Sequence, residues 1–116
     1  IYFGNTGTTA GEIYTINPAG GWTQANYQTP AAATGSLAMA LGTNSTTHGM
    51  LLKGTVKLGS NPGSVSIGSP LYLFSAGRAN KEFAYSSGEI ARIVGYYLKS
   101  DGTILFDPDK TWVVIS

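Results

Sequence analysis

Short bursts of alternating apolar and polar residues, each closed by glycine or by a Ser/Thr/Asn cluster, run the whole length of the chain. Period-two alternation marks a strand with one buried face, and the Gly, Pro, Asn and Asp clusters between bursts carry turn chemistry. "EIYTIN" (12–17) predicts a strand, Pro18-Ala19-Gly20-Gly21 a turn, and 22–28 the returning strand. Residues 29–35 read as a linker: Ala31-Ala32-Ala33 favours helix, but Pro30 and Gly35 bracket it too closely for a stable one. A strand over 36–41 and the polar loop "GTNSTTHG" (42–49) follow. "MLLKGTVKL" (50–58) predicts a long strand with a central Gly54, a usual sign of a bulge. After loop 59–69 come the short strand "PLYLF" from Pro70, a turn at Ala76-Gly77-Arg78 and a weak strand over 81–85. "GEIARIVGYYL" (88–98) predicts a second long strand, centred near Gly95. Asp101-Gly102 is a hairpin signal leading into "TILF", and "TWVVI" supplies the last strand.

The pattern predicts an all-β chain: a compact antiparallel β-barrel or β-sandwich of eight to nine short strands, paired mostly neighbour to neighbour. One domain over 1–116 is expected, with 1–11 a flexible lead-in; a chain this long can bury ~65% of its unfolded surface. In the second long strand Ile90, Val94, Tyr96 and Leu98 alternate with Ala91, Ile93 and Tyr97, so both faces are apolar. Such a strand is either wholly buried or packed on another subunit, which points to a homo-oligomer beside the alternative of a self-contained monomer.

Composition narrows the chemistry. Without cysteine there are no disulfides or thiolate sites, and a single histidine rules out a multi-histidine metal site within one chain. Charged residues make up 11%, under half the ~25% usual in soluble domains. The seven basic residues, from Lys53 and Lys57 through Arg78, Lys81, Arg92 and Lys99 to Lys110, are scattered, so no nucleic-acid surface is expected. No apolar run nears the ~20 residues that cross a bilayer, so no membrane insertion is expected, and no signal peptide is visible. Ile1-Tyr2-Phe3 reads as the interior of something longer, a processed product or an excised domain.

The scarce acids make Asp107-Pro108-Asp109 the most tempting chemical motif. Its readings are a working acid pair, a metal clamp or a corner. Aspartate opening a type I turn with proline second favours the corner: a hairpin joining "TILF" to "TWVVI", with the acids bonding backbone. His48 lies in a polar loop near Ser45 and Thr46; it reads as an ordinary loop histidine, a ligand on a trimer axis or a receptor contact, since no acid can be placed beside it. The glycine-rich 4–11 lacks the lysine and following helix of a phosphate cradle. Aromatic rings could stack on sugars, although burial is their commoner fate. Trp22, next to a turn, is the better candidate for exposure, and Trp112, in an apolar strand, for packing. Trp22, Tyr27, Asn44, His48, Arg78, Lys81 and Tyr85 are the candidate binding residues, and loops 42–49, 59–66 and 76–88 the candidate contact surfaces. A carbohydrate-active enzyme would need two carboxylates about 5–10 Å apart across a cleft, and all six acids have simpler readings.

Four stretches, "GSLAMALGT" (35–43), "HGMLLKGTVKL" (48–58), "IGSPLYL" (67–73) and "GEIARIVGYYLKSDGTILFDPDKTWVVIS" (88–116), occur in an order that resembles the C-terminal module of virion structural and tail-fibre-like proteins of marine and cyanobacterial tailed bacteriophages. The matching residues run Arg92, Ile93, Val94, Gly95, Tyr96, then Asp107, Pro108, Asp109, Thr111, Trp112 and Val113. "GEIYTINPAGGWTQAN" is similar to that module's opening hairpin. The resemblance implies a non-enzymatic virion component on the particle surface, without cofactor or metal, assembled as a trimer with other virion proteins and open to a host-surface glycan or receptor. It covers roughly the last two-thirds of the chain and transfers no catalytic or binding residue. The Gly-x-Pro-Leu-Tyr strand preceding an Ile-Gly strand is also similar to capsid decoration proteins, which stabilise the head; that is the alternative reading.

Overall fold

Asn17 closes the first hairpin: its Oδ1 accepts the N–H groups of Ala19 and Gly21 at 3.0 Å, while its own N–H donates to the Gly21 carbonyl at 2.9 Å. The strands it joins are β1 (Ile13–Ile16) and β2 (Trp22–Gln24). The computed structural model describes residues 1–81 and 83–116. The further strands are β3 (Leu37–Ala40), β4 (Met50–Leu51), β5 (Gly54–Lys57), β6 (Pro70–Leu73), β7 (Ala79–Asn80), β8 (Ile90–Ala91), β9 (Ile93–Tyr97), β10 (Thr103–Phe106) and β11 (Val113–Val114). Single 3-10 turns at Pro30–Ala32 and Ser75–Gly77 complete the regular structure of the described residues.

All pairings are antiparallel and fall into three sheets, ordered β2-β1-β3-β4, β5-β10-β9-β6-β7 and β11-β8. The expected barrel is not found: none of the sheets closes on itself. Only half the pairings join sequence neighbours. β5–β10, β6–β9, β1–β3 and β8–β11 are not consecutive.

The described residues form eleven strands rather than eight or nine because both expected long strands are broken. The 50–58 stretch gives β4 to the first sheet and β5 to the second, and the chain changes sheets at Gly54, where φ is 146°. A side chain is rarely tolerated there, so glycine marks a corner between sheets rather than a bulge within one. The 88–98 stretch breaks at Arg92 into β8 and β9. The weak strand expected over 81–85 includes Glu82, which lies outside the described residues; pairing with β6 occurs instead at Ala79–Asn80.

The core follows the alternation. Ile13, Leu37 and Met39 of the first sheet and Leu71, Leu73, Val94, Ile104 and Phe106 of the second share one buried cluster. The first sheet also buries its other face, through Tyr14, Trp22, Ala38, Ala40 and Met50. Its cover is the segment 1–11, expected as a flexible lead-in, which is hydrogen-bonded along much of its length. The Ile1 amine donates to the Met50 carbonyl, and the Ile1 carbonyl accepts the Met50 N–H, both at 2.7 Å. The Trp22 indole N–H donates to the Phe3 carbonyl at 3.1 Å, and the Thr9 N–H to the Tyr14 hydroxyl at 2.9 Å.

Gly95 sits where β9 presses on β10, and a Cβ there would collide with the Leu105 carbonyl oxygen. Gly95→Ala should therefore destabilise the fold by about 1–3 kcal/mol through overpacking. Gly7→Ala, with open space around its Cβ, should stay within about 0.5 kcal/mol. Urea midpoints of the two variants check this; equal midpoints would show that β9 and β10 can separate at no cost.

Candidate functional site

Asp107-Pro108-Asp109 is not a hairpin corner. β11 does not return along β10; it pairs with β8, continuing the ladder that β10 makes with β9. Phe106 faces Gly95 and Val113 faces Ala91, so the six residues 107–112 oppose only the three residues 92–94. The stretch is a bulge in one long antiparallel ribbon. The N–H groups of Asp107 and Asp109 stay in the ladder, donating to the carbonyls of Val94 and Ile93 at 2.9 Å each. The carboxylates do not cap the backbone as expected. Asp107 lies 3.7 Å from the Lys53 amine in an exposed ion pair, and the Asp109 carboxylate hydrogen-bonds with no described residue. Among the described residues no three His, Asp or Glu gather as a metal would require.

Arg92, a buried guanidinium, holds this bulge. Nε donates to the Asp109 carbonyl at 2.8 Å, and Nη1 to the carbonyls of Ala33 and Gly35 at 2.9 and 2.8 Å. Burial lowers its pKa, with the Asp109 carboxylate opposing the shift; arginine nonetheless keeps its proton. Its Cζ lies 5.4 Å from the centre of the Trp112 ring, a cation–π contact that props the indole from one side.

Trp112 consequently keeps 40% of its surface exposed, whereas Trp22 keeps 4%. Both expectations for the tryptophans are reversed. Trp22 is sealed by Phe3, with ring centres 5.2 Å apart, and Trp112 has been turned outward by the bulge.

The candidate residues fall into three places. Asn44 and His48 lie beside the covering segment: Asn44 Oδ1 accepts the N–H groups of Thr46 and Thr47 to shape its own loop, and the exposed His48 ring rests against Gly42. Tyr27, Arg78 and Tyr85 come together with Phe74 and Phe83. Tyr27 stacks on Phe74 at 5.5 Å, Phe83 meets both edge-on at 4.9 and 4.8 Å, and Tyr85 lies 4.5 Å from Phe83. Arg78 covers Phe74 at 5.2 Å. These rings occupy one another's faces, so the cluster is a small satellite core with little aromatic face left for a ligand. Lys81 stands apart, with an exposed side chain beside Ser64, Ser66 and Tyr72.

The surface that sequence reasoning missed is a groove of about 420 Å³ on the outer side of the second sheet. Tyr72, Ala91 and Ile93 line it together with Asp109, Thr111 and Trp112 from the bulge. Period two does carry part of the signal: Tyr72 and Ile93 are register partners on the face opposite Leu71 and Leu73. What the pattern could not show was the bulge that brings Trp112 beside them.

No family model, curated protein or solved structure matches the chain.

Arg92→Met should destabilise the protein by about 2–4 kcal/mol, because it strips three carbonyls of their donor. Asp107→Ala should change stability by less than about 1 kcal/mol, with the difference shrinking as salt rises. Urea melts at low and high ionic strength test both; a large, salt-independent loss in Asp107→Ala would restore a turn-capping role to that carboxylate.

Proposed function

We propose that the chain is a non-enzymatic bacteriophage virion module, an oligomeric tail-fibre or spike domain built as a sandwich of antiparallel sheets and carrying surface for host contact. The ordered motifs of the resemblance support the virion reading. The observation that carries self-assembly is an apolar rim at the β4 edge of the first sheet. Ile1, Tyr2, Leu41 and Leu52 are 45%, 68%, 45% and 47% exposed. They are neighbours: Ile1 pairs with Met50, Leu41 bonds the Gly49 carbonyl, and the Tyr2 ring lies against Gly49. With few charges to keep such a rim in water, a second copy is its natural cover.

Sedimentation equilibrium of the chain should give the mass of three 12.1 kDa subunits, and Leu41→Ser with Leu52→Ser should yield monomers of unchanged circular dichroism. A monomer at all concentrations overturns the assembly. Antibody labelling of particles should mark a fibre or spike; label spread across the capsid face would replace this reading with a decoration protein.

A further inference from the structure

Several polar side chains elsewhere in this protein are consumed by its own turns. The side-chain oxygens of Asn17, Asn26, Asn44 and Asp101 each accept a nearby backbone N–H. Along the outer groove the reverse holds. Among the described residues, the Tyr72 hydroxyl, the Trp112 indole N–H, the Thr111 hydroxyl and the Asp109 carboxylate make no hydrogen bond within the chain. Neither Tyr72 nor Trp112 stacks on another aromatic ring; the one ring contact is the Arg92 guanidinium behind the indole.

The groove also continues. Tyr72 lines a second depression of about 320 Å³, so it forms the ridge between the two. Beyond that ridge lie the hydroxyls of Ser64, Ser66 and Ser69 and the Lys81 amine, none of them hydrogen-bonded through its side chain to another described residue. Each depression is within or close to the range of small-ligand sites, about 300–1,000 Å³. Side by side they form an elongated track with one aromatic residue in the middle and another at one end.

We propose that this track is an oligosaccharide-binding groove, with a carboxylated sugar at the Lys81 end. The chemistry follows from the lining. A pyranose offers a face of polarised C–H groups that suits the negative face of an indole or phenol ring. Its rim of hydroxyls needs acceptors and donors in alternation. Asp109, acceptor-only when ionised, takes two hydroxyls of the sugar on Trp112, while Thr111 and the serines both donate and accept. The charge layout sets the direction: at the Trp112 end the Asp109 carboxylate lies beside the buried Arg92 guanidinium and offsets its charge, whereas Lys81 presents an exposed, unpaired amine to a carboxylate at the other end. Arg92 acts through Trp112 as a positioning residue, backing one face of the indole. The proposal deepens the function above by naming the ligand class; it rests on that reading for the source of the glycan on a host surface, but the binding itself needs only the purified chain.

The test is calorimetric titration and amide-shift mapping with three defined probes: oligogalacturonates as the carboxylated case, neutral cello-oligosaccharides, and sulfated heparin-derived oligosaccharides. Oligogalacturonates should bind with shifts centred on Tyr72, Asp109 and Trp112. Trp112→Ala and Tyr72→Ala should each lower affinity by about tenfold or more, and Trp112→Phe should restore most of it. Lys81→Gln should bring the carboxylated probe down to the level of the neutral one. The proposal is overturned if none of the probes binds at millimolar concentration. It fails equally if binding survives Trp112→Ala and Tyr72→Ala, or if only the sulfated probe binds and salt abolishes it regardless of those substitutions, the signature of diffuse charge attraction. Saccharide binding by a chain that labels no particle would retain the groove and remove the virion reading; particle labelling without binding would do the opposite.

Discussion

A guanidinium does not give up its proton inside a protein, so a fold that buries one must surround it with acceptors or lose several kcal/mol. At Arg92 the acceptors are backbone carbonyls from two separate segments, the linker after β2 and the bulge before β11. The linker has little regular structure and the bulge leaves three residues unmatched in the ribbon. Both are held by a single side chain at the β8–β9 break. The direction in which Trp112 points, and so the shape of the outer groove, follows from where that cation anchors the Asp109 carbonyl.

The first sheet is organised by a different constraint. β3 is buried at all four positions and β1 at three of four, as in the middle layer of three. The second sheet covers one side and residues 1–11 the other. That lead-in is no strand, but it satisfies its backbone as one would, exchanging bonds with Met50 and with the loop at Thr43 and Ser45. Glycine and threonine suit this duty: Gly4 lets the chain approach the Trp22 ring, where a Cβ would not fit, and Thr6 uses its hydroxyl both to bond the Gly4 carbonyl and to accept the Trp22 N–H.

Much of the fold was legible because period two survives wherever a strand has one wet face. The hairpins at Asn17 and at Asp101-Gly102 formed where turn chemistry placed them, with Asp101 Oδ1 accepting the Thr103 N–H at 3.0 Å. The illegible parts share a cause: each depends on a partner distant in sequence. Trp22 looked free because nothing local announces that Phe3 will cap it. Asp-Pro-Asp looked like a turn because its dipeptide chemistry is the same in a bulge, and only the pairing of Val113 with Ala91 tells the two apart. Gly54 was rightly singled out, yet a corner between sheets and a bulge within one ask the same of a residue. The site was less legible than the fold. Tyr27, Arg78 and Tyr85 do meet, but as a packed cluster, while the groove gathers residues from four separate stretches of chain.

The order of strands in the second sheet has a consequence for how the molecule comes into being. β10, close to the end of the described chain, is an interior strand lying between β5 and β9. During synthesis β5 therefore waits for a partner about 50 positions downstream, a long-range pairing of the kind whose loop-closure entropy slows β topologies. Until Thr103–Phe106 is available, the face that carries Ile104 and Phe106 is missing from the core, and the first sheet has nothing complete to pack on. The second sheet is therefore complete only once Thr103–Phe106 takes its place between β5 and β9.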